Sequence, residues 1–249
     1  MTRQKRAVVT GAGGFIGHHL VRRLKREGYW VKGVDIKYPE FSRSVADEFL
    51  ILDLRSWDNC LEAVRGGIDE VYQLAADMGG MGFISFNNAR IIHSNMLINL
   101  HMLEAARINY VRKFFYSSSA CIYPKYRQME TDITPLKEED AYPADPEDAY
   151  GWEKLLTEKA CEYYNKDHLM DVKVTRFHNI YGPEGTYEGG REKAPAALSR
   201  KIALAKDGGE IEIWGDGMQT RSFCYIDDCL EGIRRLMESD HNKPLNIGS

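Results

Sequence analysis

Apolar bursts and amphipathic stretches alternate along this chain from its first residues. Ala7-Val8-Val9-Thr10 has the character of a short buried strand, and the glycines behind it lead into an amphipathic stretch over residues 15–27. Strand-like runs recur at 30–34, 49–52, 70–75 and 113–118, and helical periodicity fills 56–64, 91–107 and 148–165. Short apolar strands alternating with helices predict an α/β fold, a doubly wound parallel sheet with helices on both faces. The pattern changes after about Asn179. Tyr181-Gly182-Pro183 interrupts it, a Gly-rich stretch follows, and then come a helix near 194–205, short strands around Ile211 and Phe223, and a helix over 227–237. Residues 1–179 are therefore expected to form the main domain and 180–249 a smaller lobe interleaved with its sheet. The Pro-, Asp-, Glu- and Lys-rich stretch 124–146 is expected to be a long surface connection, and such loops are more often functional than idle.

Composition narrows the class. With 249 residues, 43% hydrophobic and 28% charged, the chain has the make-up of an ordinary globular protein. A net charge of -4 argues against nucleic-acid binding, which needs a basic face to neutralise phosphates. The five cysteines are scattered and form no C-x-x-C pair, which implies a reducing, cytoplasmic setting without a disulfide framework or zinc site. No apolar stretch reaches the length of a signal segment or a membrane span, and the seven histidines form no metal-spaced cluster, so no metal is implied.

Two constellations carry chemistry. In Thr10-Gly11-Ala12-Gly13-Gly14-Phe15-Ile16-Gly17, Gly11, Gly14 and Gly17 fall at G-x-x-G-x-x-G spacing between a strand and a helix. Gly11 allows a sharp turn, Gly14 a close backbone approach to a pyrophosphate, and Gly17 close helix–strand packing, with the anion at the helix N-terminus beside Phe15 and Ile16. The loop gives the predicted sheet a Rossmann-like character. Asp35 ends the second strand where an acid meets the ribose hydroxyls, and its charge would repel the extra phosphate of NADP, favouring NAD. Asp53, followed by Leu54, is either an adenine contact or a solvated strand-end residue. Farther on, Ser119 ends a strand, and Tyr150 and Lys154 lie four apart on one face of a helix. A lysine charge and a nicotinium ring favour the tyrosine phenolate, which can take a hydroxyl proton while hydride leaves the carbon. Ser119 would hold the same hydroxyl.

Through these residues the chain resembles the extended short-chain dehydrogenase/reductases over essentially its whole length. Leu74-Ala75-Ala76 and Asn179-Ile180-Tyr181-Gly182-Pro183 fit that family, and Asn179 resembles a residue that binds the sugar diphosphate. Four further segments resemble the branch that interconverts GDP-D-mannose and GDP-L-galactose. They are Ala76-Asp77-Met78-Gly79-Gly80-Met81-Gly82-Phe83, Ser118-Ser119-Ala120-Cys121-Ile122-Tyr123-Pro124, Gly189-Gly190-Arg191-Glu192-Lys193-Ala194-Pro195 and Trp214-Gly215-Asp216-Gly217-Met218-Gln219-Thr220-Arg221-Ser222-Phe223. The resemblance implies NAD as cofactor, a GDP-sugar as substrate and a homodimer paired through the helices near Ile91 and Tyr150. It further implies oxidation at carbon 4 by Tyr150, after which Cys121 serves as base and Lys193 as acid at the neighbouring carbons. Gly79, Ala120, Glu192, Ala194, Lys201, Gln219, Thr220 and Arg221 match positions that hold the substrate. Members of the family continue beyond Asn246-Ile247-Gly248-Ser249, so the substrate lobe is expected to be truncated. A 4-epimerase, 4,6-dehydratase or decarboxylase would share the redox apparatus, with Cys121 and Lys193 as the discriminating pair. A non-catalytic NAD-binding regulator would have no use for either.

Overall fold

The structure is a computed structural model and describes residues 3–79, 81–127, 135–213, 217 and 221–248. Seven parallel strands form the central sheet: β1 (Arg6–Thr10), β2 (Trp30–Asp35), β3 (Glu48–Ile51), β4 (Glu70–Gln73), β5 (Lys113–Ser119), β6 (Asp171–Phe177) and, from the far end of the chain, the strand Leu245–Ile247. Their order is β3-β2-β1-β4-β5-β6, with Leu245–Ile247 paired beside β6. The order reverses between β1 and β4. A crevice opens there beyond the carboxyl ends of the strands, and this is where a doubly wound sheet receives its ligand.

Alternation along the strands builds two cores. Val8, Val34, Val71, Phe114 and Val172 face one side, where α2 (Trp57–Val64), α4 (Asn88–Ile108) and α5 (Ala149–His168) cover them; the short α3 (Met81–Phe86) precedes α4. Ala7, Val9, Val31, Tyr72 and Phe115 face the other. There α1 (Phe15–Arg26) packs against the sheet together with α7 (Ile226–Glu238). Strands buried on both faces need such continuous apolar runs. Between β6 and α7 lie β7 (Ile180–Tyr181), α6 (Ala194–Leu204) and β8 (Cys224–Tyr225), with β7 and β8 forming a separate parallel pair. The strand Leu245–Ile247, here β9, brings the chain back to the main sheet.

The elements depart from the sequence pattern in a few places. β4 ends at Gln73, because Leu74 and Ala75 turn their amides to the Thr10 hydroxyl, at 3.1 and 3.2 Å. The strand expected around Ile211 does not form: residues 211–213 carry no regular structure, and no described strand pairs with them. The one near Phe223 is the two-residue β8. Within the long connection after Pro124, short 3-10 turns form at Lys125–Arg127 and Glu138–Ala141.

Candidate active site

At the end of β1 the chain can turn into α1 only through glycine. Gly11 adopts φ +68°, and a Cβ there would lie 2.9 Å from the Leu74 carbonyl carbon. A Cβ at Gly17 would lie 2.1 Å from the Gly11 oxygen. Gly13, outside the triplet, is equally constrained, since its Cβ would meet the Lys37 oxygen at 2.2 Å. Gly14 caps α1 without a side-chain partner, so the first-turn amides of Phe15, Ile16 and Gly17 face the crevice end of the helix with no intrahelical acceptor. A helix start stripped of side chains in this way fits a pyrophosphate. Asp35 stands beside it: its carboxylate accepts from the Gly13 amide (2.9 Å) and the Ile36 amide (2.6 Å). Burial pushes the Asp35 carboxyl up, against the pull of these amides.

Across the crevice, the end of β5 and the start of α5 bring the other constellation together. Ser119 caps a 3-10 turn, Ala120–Ile122, by accepting from the Cys121 amide at 3.1 Å. Asp148 caps α5 by accepting from the Gly151 amide at 2.8 Å. Gly151 lets the two caps meet, since a Cβ on it would lie 2.3 Å from the Cys121 oxygen and 2.8 Å from Pro146 Cβ. The Tyr150 phenol thereby comes within electrostatic reach of both Ser119 and Cys121. Lys154 reaches back under it: Nζ donates to the Ser117 carbonyl at 2.9 Å and sits 5.4 Å from the Tyr150 ring centre.

Burial dominates the electrostatics of the protein's own groups here. Burial holds the Tyr150 phenol well above its ordinary value, with Cys121 and Glu153 adding to the shift and Ser119 opposing it. Burial lowers the Lys154 ammonium, and Glu153 opposes that. The Cys121 thiol is also pushed up by burial, although Ser119, Lys193 and Lys154 pull the other way. Lys193, at the cap of α6, keeps an exposed side, yet desolvation of its ammonium lowers it, partly offset by Cys121. Lys193 and Cys121 are thus electrostatic neighbours: each favours the charged form of the other, against burial, which favours the neutral form of both.

The remaining expected residues are dispersed. Asp53 turns to Arg55 in a surface ion pair at 2.5 Å, while Leu54 is buried behind it. Asn179, in left-handed backbone (φ 44°), donates to the Ser222 carbonyl at 2.8 Å and so ties β7 to the approach to β8. Gly79 packs against Phe83, whose ring also stacks under the Arg191 guanidinium at 3.9 Å. Glu192 faces Arg200 at 3.5 Å, with one carboxylate oxygen buried and unpartnered. Lys201 is drawn away to the Glu212 carbonyl at 2.6 Å. Ala76 and Ala120 line the crevice half-buried, and Ala194 and Arg221 are exposed. Gln219 and Thr220 lie outside the described residues. Sequence reasoning passed over Gly13, Gly151 and Glu153. The first two sit next to motif residues but are revealed only by what their missing side chains would strike.

A family model described as the NAD dependent epimerase/dehydratase family matches residues 7–248. The chain is 55% identical over 243 residues to a GDP-mannose 3,5-epimerase of Arabidopsis thaliana, covering 97% of this chain and 64% of that protein. It is 56% identical over 246 residues to GDP-mannose 3,5-epimerase 1 of Oryza sativa subsp. japonica, covering 98% and 64%. The chain thus spans less than two thirds of the length of these relatives. Among solved structures it is similar to a UDP-glucose 4-epimerase of Thermotoga maritima determined with UDP-glucose, with a TM-score of 0.85, 26% identity, and coverage of 98% of this chain and 77% of that one.

Proposed function

The chain belongs to the NAD dependent epimerase/dehydratase family, and from that premise we propose that it serves the 3,5-epimerisation of GDP-D-mannose to GDP-L-galactose. The observation that supports the reading is the electrostatic proximity of Cys121 to both Lys193 and Tyr150. A redox enzyme that acted at carbon 4 alone would need no such pair. The identity to the two plant epimerases supports the same assignment.

NAD, when bound, takes hydride from sugar carbon 4 and later returns it. The glycine loop and the α1 amides would hold its pyrophosphate, with Leu74 to Ala76 lining the crevice. Asp35 would hold its ribose, and Asp53 remains the candidate for the adenine side. Tyr150 accepts the carbon-4 hydroxyl proton, Ser119 steadies that hydroxyl, and Lys154 stabilises the phenolate from below. Because burial raises the phenol, a positive charge beside Tyr150 favours its ionised form, and an oxidised nicotinamide would supply one. A ketone at carbon 4 acidifies the protons on carbons 3 and 5. Cys121 then removes a carbon-bound proton and Lys193 returns one from the opposite face. Gly79, Ala120, Asn179, Glu192, Ala194, Lys201, Gln219, Thr220 and Arg221 would contact the GDP-sugar. Lys201 must leave Glu212 to do so. Residues 1–179 would form the cofactor domain, and 180–249 part of the sugar-nucleotide lobe.

Two coarser features support finer proposals. The helix α5 exposes Trp152, Leu156 and Tyr163 along one stripe beside α4, where Ile92 and Leu100 are also exposed, and this face suits a homodimer, testable by light scattering. No described helix is long and apolar enough to cross a membrane, and all five thiols are free, which fits the reducing cytoplasm.

The function is tested with NAD and GDP-mannose in deuterated water. Tyr150→Phe should abolish NADH formation and label uptake together. Cys121→Ser should still form NADH but lose carbon-bound exchange by roughly 100- to 10,000-fold, the contribution of a positioned acid–base group. Exchange as fast as in the unmutated protein would remove Cys121 as the base and favour a 4-epimerase or dehydratase chemistry.

A further inference from the structure

Directly beneath Lys154 lies a carboxylate that the proposed chemistry does not use. Glu153 is completely buried, and its Oε1 is 3.9 Å from Lys154 Nζ. Each of its oxygens is met by an asparagine of α4: Asn95 Nδ2 at 2.9 Å on Oε1 and Asn99 Nδ2 at 3.0 Å on Oε2. An asparagine amide can turn either end toward a neighbour, so these contacts define a charge state only if the amide orientation is fixed.

It is fixed, through backbone groups that can only donate or only accept. The Asp77 N–H donates to Asn95 Oδ1 at 2.7 Å, which leaves the Asn95 NH2 for Glu153. On the second branch, the Leu74 and Ala75 amides donate to the Thr10 hydroxyl, so that hydroxyl must donate, and its near acceptor is Gln73 Oε1 at 2.5 Å. Gln73 Nε2 then donates to the Ala75 carbonyl, which can only accept, and to Asn99 Oδ1, both at 3.0 Å. That leaves the Asn99 NH2 for Glu153 Oε2. Both carboxylate oxygens therefore receive N–H donors. A carboxylic acid would set its own O–H against one of them, whereas a carboxylate accepts both.

We infer that Glu153 is a positioning residue for the redox pair: a buried carboxylate, fixed in its anionic form by a side-chain relay that begins at Thr10 behind the glycine loop, which keeps Lys154 an ammonium beneath Tyr150. The inference rests on the reading of Tyr150 and Lys154 as that pair. Without the anion, Lys154 would be a cation with under 3% of its surface exposed, its described contacts being the Ser117 carbonyl and the Tyr116 and Tyr150 rings, with the Glu158 carboxylate acting from farther off. At 3.9 Å and an effective dielectric of about 20, the attraction of Glu153 corresponds to roughly 3 pH units on the titration of Lys154. The other titratable groups that face the pair are Tyr150, Asp148, Glu158 and Cys161 of α5, Tyr116 of β5 and Cys121 of the 3-10 turn. Glu158 is already paired with Arg176 of β6 at 2.8 Å, and α4 faces Glu153 with the two asparagines.

The test reads the charges directly, by carbon-13 resonances of labelled lysine Cε and glutamate Cδ in the protein saturated with NAD and without sugar. Its outcome is therefore independent of the substrate assignment. In the unmutated protein the Glu153 carboxyl should be ionised at a pH of about 7, where an isolated buried carboxyl is often protonated. Glu153→Gln should move the Lys154 titration down by roughly 3 pH units. Glu153→Asp, which retains the charge, should recover most of that shift. A Glu153 carboxyl protonated at neutral pH overturns the inference, and this measurement needs no variant to fold. A Lys154 titration unmoved by Glu153→Gln overturns it equally, as does a Glu153→Asp protein no better than Glu153→Gln, since the effect would then come from packing.

Discussion

Replacing Gly151 by alanine adds one methyl group at the joint between the two halves of the proposed catalytic machinery. Its Cβ would fall 2.3 Å from the Cys121 oxygen, with Pro146 Cβ at 2.8 Å on another side. Backbone and a proline ring leave no flexible side chain to swing away. The start of α5 and the turn that carries Cys121 must therefore part by about 0.7 Å merely to reach the 3.0 Å limit of real Cβ contacts, and by about 1 Å to reach ordinary packing. Tyr150 precedes the substituted residue, and Ser119 and Cys121 belong to the turn that would be displaced. A misplacement of that size costs about 100-fold in rate when it separates reacting groups. Alanine also favours a helix over glycine by about 1 kcal/mol, so the strain is partly offset and the variant should stay folded. The expected signature is a single-turnover rate of NADH formation with GDP-mannose reduced about 100-fold. NAD affinity should be nearly unchanged, because the glycine loop lies on the opposite side of the crevice. A variant that reduces NAD within a factor of about three of the unmutated rate would refute the view that this close approach aligns Tyr150 with Ser119. Loss of NAD binding together with activity would equally refute it.

Further expectations follow from other parts of the fold. If Asp35 reads the cofactor ribose, the protein should bind NAD far better than NADP in a calorimetric titration, and Asp35→Ala should narrow the gap; equal affinities in the unmutated chain would sink the assignment. Arg176→Met leaves Glu158 charged and buried without its partner, so urea denaturation should register a loss of about 3–5 kcal/mol, and a loss below about 1 kcal/mol would show the pair to be dispensable. The Glu104 carboxyl is held below its ordinary value by Arg107. Its contribution to stability is therefore complete above the unfolded glutamate value of about 4.3 and disappears as pH falls through the lower folded value. Glu104→Gln should flatten that part of the acid limb of the stability profile, and an unchanged limb would contradict the pairing.

Much of this molecule was legible in the chain itself. Apolar strand runs separated by amphipathic helices require a parallel sheet covered on both faces, and the glycine spacing after β1 locates the tight turn into α1. Both rest on local periodicity and on backbone conformations that few residues tolerate, so neither needs tertiary knowledge. Ser119, Tyr150 and Lys154 were likewise readable, because a helix places residues four apart on one face. Their electrostatics were not. The pattern suggested a lysine and a nicotinium ring favouring a phenolate; it gave no sign of the burial of Tyr150 that opposes them, because desolvation depends on everything packed around the ring. The Ile211 strand failed for a related reason: an apolar triplet becomes a strand only where a neighbouring strand accepts its hydrogen bonds, and none among the described residues does. Gly151 looked like an incidental member of the Tyr/Lys motif until the turn bearing Cys121, some thirty residues earlier, proved to lie against it. Nothing in the sequence marks Glu153 out. It becomes a buried counterion because α4, more than fifty residues away in the chain, presents Asn95 and Asn99 to its carboxylate. Local sequence determines which backbone shapes are possible; which polar groups lose their water, and which partners replace it, is decided only when distant segments pack together.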